Sequence, residues 1–291
     1  MDWNDYLNHW NNYYSAWYKN PSTMDRDPFF QGKSTLVKDE IPEPYYFGGI
    51  FPQNGESFAA DSIEAVVLNI NPGQRGSGDW VKCWANRNDP SAFIIYDCHD
   101  YNSVNANYNS LTTPNNLVPG QIWWSEERFK WMDRFFGRPV DRNLVMSIEP
   151  CQWHSVAANS IDFSSLKKDP DFLNDYLKYV IDPAADAIRG SRLKGASGKP
   201  FGLWFGNKGL RDIMVDAFNF KVTLLADAEH PLTGWPLNKN GKEIRRKYEL
   251  LEGVDSDGKE CRFLFLTYSN VGVHSPSPAF ALIDQLIKQM I

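Results

Sequence analysis

Five polar residues stand where chemistry is most easily done, each just past an apolar, β-prone run: Asn71, Glu149, His154, Asn207 and His274. In open α/β sheets, ligands bind at the carboxyl ends of strands, where loops converge over a rigid edge. The loops beginning at Asn71, Glu149, Gly206 and Ser269 are therefore expected on one rim. Other chemistries fail on spacing. Gly32-Lys33-Ser34-Thr35 mimics a phosphate loop, but Asp27 stands where the first glycine is required and no strand precedes it. Cys98-His99-Asp100 with Cys83 fits no standard zinc spacing, so neither a metal nor another cofactor is expected. There is no Gly-x-Ser-x-Gly for a serine hydrolase.

The elements that must position these residues alternate along the chain. Residues 2–18 put Trp3, Tyr6, Leu7, Trp10, Tyr14 and Trp17 on one helical face, stopped by Pro21. The Pro- and Gly-rich stretch that follows, up to residue 60, reads as an extended wrap. Strands are predicted at Ile63–Ile70, Leu144–Ile148, Phe201–Phe205, Lys221–Leu225 and Arg262–Tyr268, the last two bracketing a polar insertion. Helices are predicted at Glu126–Phe136, from Pro170 to Arg189 with a kink at Pro183, at Asn207–Phe218 and at Pro278–Ile291. Strands alternating with helices imply a mainly parallel sheet of four or five strands covered on both faces. Residues 1–291 are expected to form a single α/β domain, with 1–60 as an N-terminal elaboration.

Composition narrows the partners. The chain has 291 residues, 42% of them hydrophobic, and no apolar run of the roughly 18 residues a membrane helix needs. Its net charge of −6 argues against coating nucleic acid through bulk charge. Local basic clusters remain, at Arg189, Arg192, Lys194 and Lys199 and at Lys239, Lys242, Arg245, Arg246 and Lys247. The four cysteines form no CxxC pair and no secretory signal is evident, so reduced thiols and a cytoplasmic location are expected.

Asn69-Ile70-Asn71-Pro72-Gly73 resembles motif one of the uracil-DNA glycosylase superfamily, in the Asn-Pro-Gly form of some branches. Val273-His274-Ser275-Pro276-Ser277-Pro278 is similar to its motif two, His-Pro-Ser-Pro, with Ser275 as an extra residue. Either His274 fills the histidine role across that insertion or Ser275 occupies the place. Leu203-Trp204-Phe205-Gly206-Asn207 is similar to the strand between the two motifs. The resemblance implies a three-layer α/β sandwich and a monofunctional DNA glycosylase that extrudes a base from the duplex and hydrolyses its bond to the sugar. Asn71 would then orient the water. His274 would donate to the base oxygen where negative charge develops, across an oxocarbenium-like transition state.

Several residues complete the expected site. Trp80, Trp84 and Trp153 are candidates to stack on the extruded base, with core packing as their alternative role. His154 and Asn207 stand beside the same loops. Phosphates would fall to Arg75, Ser275, Ser277, Lys194, Lys199, Arg245 and Arg246. The uracil-reading branches deliver an Asn where this chain has Glu149. A carboxylate only accepts hydrogen bonds, so it suits the exocyclic amine of a cytosine-type base, and the long loop 74–120 leaves room for a substituent. That pattern resembles phage-defence glycosylases acting on hypermodified DNA. A uracil or damaged-base repair enzyme and a non-catalytic nucleic-acid binder of the same fold are the alternatives.

Overall fold

In the computed structural model, the described residues are 1–3, 5, 6, 9, 63–68, 129–140, 144–148, 161–226, 235–243, 246–267 and 278–291. Six strands lie among them: β1 (Ala65–Leu68), β2 (Val145–Ile148), β3 (Gly202–Gly206), β4 (Lys221–Ala226), β5 (Tyr248–Val254) and β6 (Glu260–Thr267). The helices are α1 (Phe129–Phe136), α2 (Phe163–Leu166), α3 (Pro170–Tyr176), α4 (Asp182–Gly190), α5 (Lys208–Asp216) and α6 (Pro278–Met290). Trp3 and Tyr6, which the periodicity assigns to an N-terminal helix, are helical and buried.

The strands form one sheet in the order β2-β1-β3-β6-β5-β4. β2, β1, β3 and β6 run parallel, whereas β5 pairs antiparallel with both β6 and β4. The sheet is therefore mixed and six-stranded, not the mainly parallel sheet of four or five strands that the alternation suggested. Among the described residues, no helix separates β4, β5 and β6. Consecutive strands without a crossover helix pair antiparallel. β5 hid inside the apparent polar insertion because Glu249 and Glu252 interrupt its apolar pattern. Both charges are neutralised on neighbouring elements, Glu249 by Arg211 and Lys247, and Glu252 by Arg262.

Alternate strand residues feed two cores, as the two-residue period of a strand demands. Val66, Leu68, Trp204, Phe263 and Phe265 meet α2 to α5 on one face. Ala65, Val67, Leu203, Phe205, Leu264 and Leu266 meet α1 and α6 on the other. Helices thus cover both sides of the sheet.

Helix ends follow local chemistry. Asp169 caps α3, its side chain accepting the Phe172 N–H at 3.0 Å, with Pro170 in the first turn where its missing N–H costs nothing. Asp169→Ala is expected to cost about 1 kcal/mol, read as a fall of about 2–4 °C in Tm. The expected kink at Pro183 is instead a π-helical turn, Leu177–Ile181, closed by the Asp182 N–H on the Leu177 carbonyl. Widening the turn before the proline relieves the clash of its ring with the carbonyl four residues back.

The β5–β6 hairpin turns through Asp255-Ser256-Asp257-Gly258, with Gly258 in the left-handed region at φ 73°. Burial alone would raise the Asp255 carboxyl. The N–H groups of Lys259 and Asp257 and the Arg189 guanidinium at 2.6 Å hold it below its ordinary value instead. A depressed carboxyl contributes stability above its unfolded pKa and loses it as pH falls through the folded one. The urea midpoints of wild type and Asp255→Asn should therefore differ at neutral pH and converge in acid below the ordinary value of 3.8.

Candidate functional site

The rim is built from strand register. Leu68 lies opposite both Ile148 and Trp204, and Gly206 lies opposite Thr267. The carboxyl ends of β2, β1, β3 and β6 therefore share one edge. α1, between β1 and β2, packs in one core, while α2 to α4, between β2 and β3, pack in the other. The β1–β2 connection thus runs to one side of β1 and the β2–β3 connection returns past β1 across the other face, so the strand order reverses between β1 and β3. Such a switch point opens a crevice at the carboxyl ends, the preferred ligand site of α/β sheets.

β3 borders that switch point and is buried along its whole length. At its last residue a side chain is excluded, because a Cβ on Gly206 would stand 2.6 Å from the Phe265 ring. Asn207 follows as the N-cap of α5, its side-chain oxygen accepting the Leu210 N–H at 3.0 Å. Its oxygen is thereby committed to the helix, which leaves the carboxamide N–H donors for a ligand. Asn207→Ala removes the cap at a cost of about 1 kcal/mol, measurable by thermal denaturation.

The same rim carries Glu249 and Arg211, which the sequence did not single out, beside Lys247 of the basic run. Glu249 is buried and accepts from Arg211 Nε at 3.0 and 2.9 Å, while Lys247 Nζ stands 3.0 Å away. Arg211 also lies 3.5 Å from Asp212, and Lys208 is exposed at the start of α5. The signal for this group was a glutamate inside a strand whose neighbours are buried, since a buried carboxylate requires cations beside it.

Arg246 is not at a DNA-facing surface. It is 4% exposed, and its guanidinium carbon lies 3.3 Å from the centroid of the Phe280 ring. Burial lowers its pKa, and Tyr248 and Asp284 face it. The Tyr248 hydroxyl donates to Asp284 Oδ1 at 2.8 Å, and burial pushes both the Tyr248 and Asp284 pKa values up. Phe280 is buried as well, as a core residue of the closing helix. A basic run in the sequence cannot distinguish a solvated face from a cation stacked on an aromatic core.

Lys194 and Lys199 both precede β3, at the amino edge of the sheet, opposite the rim. Lys194 is exposed, and Lys199 pairs with Glu260 at 2.7 Å. Asn71, Arg75, Trp80, Trp84, Glu149, Trp153, His154, Arg245, His274, Ser275 and Ser277 lie outside the described residues. Among the described residues, no group of three or more His, Cys, Asp and Glu side chains could hold a metal ion. No helix among them is long and apolar enough to cross a membrane. Compared with models of known families, with curated proteins and with solved structures, the chain matches none.

Proposed function

We propose that the protein is a DNA glycosylase akin to the uracil-DNA glycosylase superfamily, acting on a cytosine-type base that carries a modification. The observation that supports it is the parallel register ending β1, β2, β3 and β6 on one edge, with a switch point between β1 and β3. Motif one follows β1 and motif two follows β6, so both leave the sheet at that edge. Asn71 stands three positions after Leu68 and His274 seven after Thr267. Fully extended, those segments reach at most about 11 and 25 Å. Only β3 separates β1 from β6, a gap of about 10 Å at ordinary strand spacing, so chain length permits the two motifs to meet.

In this reading, Asn71 orients a water against the sugar carbon while His274 donates to the departing base. The water oxygen bonds to that carbon, the base–sugar bond breaks, and the water proton leaves with the base. The products are a free base and an abasic sugar. Glu149 accepts from the exocyclic amine, and Trp80, Trp84 or Trp153 stacks on the ring. Arg75, Ser275 and Ser277, with Lys208, Arg211 and Lys247 at the rim, supply phosphate contacts. Lys194, Lys199 and Arg246 take no part in this interface.

Duplexes containing uracil, cytosine or glucosylated hydroxymethylcytosine, incubated with the protein and then treated with alkali, test the reading. Strand breaks confined to the modified cytosine support it. Breaks confined to uracil reassign the pocket to a repair enzyme, and retarded DNA without breaks leaves a binding protein.

A further inference from the structure

Glu64, just before β1 on the amino edge, is buried, and one arginine already satisfies it. Arg138 donates to Oε1 at 3.2 Å and to Oε2 at 2.6 Å. That two-pronged pair occupies both oxygens. A second guanidinium is nevertheless held there. Arg192 Nη1 lies 3.5 Å from Glu64 Oε1, and the Arg138 and Arg192 side chains remain 48% and 51% exposed.

More positive charge crowds the same place. Arg138 and Lys288 lie 5.4 and 5.6 Å from the centroid of the Phe136 ring. The Lys288 ammonium donates to the carbonyls of Phe135 and Phe136 at 3.2 and 3.4 Å. Burial first, and then the charge of Arg138, lower the Lys288 pKa. Lys194 is exposed two residues beyond Arg192, with buried Leu193 between them. Asp133, the neighbouring carboxylate on α1, accepts the Val140 N–H at 2.8 Å.

Glu64 meets two guanidiniums where neutralising it requires only one, and Lys288 stands close enough to Arg138 for the two charges to oppose each other. We infer that Arg138, Arg192, Lys194 and Lys288 form a phosphate-binding surface for a nucleic-acid backbone, on the sheet edge opposite the candidate catalytic rim. Guanidinium forks match the paired oxygens of a phosphate. Cations distributed over three separate segments fit a row of phosphates better than a single one. This surface does not depend on the glycosylase reading, because its ligand is the backbone and no base need be cleaved.

The test is binding of a short labelled duplex, followed by anisotropy across a salt series. The double variant Arg192→Gln/Lys194→Gln leaves the Arg138–Glu64 pair intact. It should weaken binding and reduce the slope of log affinity against log salt by about 2. Glu64→Gln, which removes the carboxylate that Arg138 and Arg192 share, should tighten binding, an effect that a purely structural role does not produce. Affinity and slope unchanged in the double variant overturn the proposal. So does displacement of the DNA by inorganic phosphate at equal phosphate concentration, or equally well by polyglutamate, which assigns the surface to a single phosphate or to an acidic protein. Alkali-labile breaks read on the same duplexes keep the two proposals separate, since loss of one leaves the other measurable.

Discussion

Asn71→Ala is expected to slow base release about 10²–10³-fold while leaving duplex affinity near wild type. Removing one well-aimed polar group that stabilises a charge-separated transition state costs about 3–4 kcal/mol. A residue that orients water acts only after the base is seated, so the loss should fall on the single-turnover rate and spare binding. Release of free base from the glucosylated duplex, followed under single-turnover conditions, gives the number. Turnover at full rate in this variant would remove Asn71 from the mechanism. Equal losses of rate and affinity would make it a binding residue.

Trp204→Ala should cost about 3–5 kcal/mol of stability, by lost transfer energy and by the cavity left behind. At this chain length that corresponds to a fall of about 10 °C in Tm. Trp204 is fully buried, with ring centroids 5.2 Å from Phe263 and 5.8 Å from Phe265. It also stands opposite Leu68 in the register, so the void would open beside the last residue of β1. Trp204→Phe, which keeps most of the packing, should recover the larger part of the loss. A drop of less than about 1 kcal/mol on calorimetry would mean that neighbouring rings collapse into the space.

Much of this architecture is legible from residue pattern because burial there follows the apolar period. β1, β2, β3, β6 and the closing helix each carry a dominant apolar pattern, and each lies within a few residues of its expected bounds. At β5 and at Arg246 the pattern fails. Glu249 and Glu252 concealed a whole strand, and Arg246 read as a surface cation although it lies against Phe280. Such buried charges are set by partners distant in sequence, which no local window contains. α2 was missed for another reason. Its four residues, Phe163-Ser164-Ser165-Leu166, are too few to display a period, and it is held by the side chain of Asp162 accepting the Ser165 N–H. Of the candidate site, the strand ends were foreseeable from motif and topology together. Arg211 was not foreseeable at the rim, because only the fold of β5 brings Glu249 beside it.

The position of β6 bears on how the protein comes into being. β6 lies between β3 and β5, yet it follows both in the chain. During translation, β3 emerges long before its permanent neighbour exists and must wait with an open flank. β4, β5 and β6 can meanwhile zip together through near neighbours, a quick event compared with closing long crossovers. Insertion of that ribbon against β3 then completes the rim, so a nascent chain stalled before β6 should have an unfinished rim with β3 as an open edge and be a favoured client for chaperones.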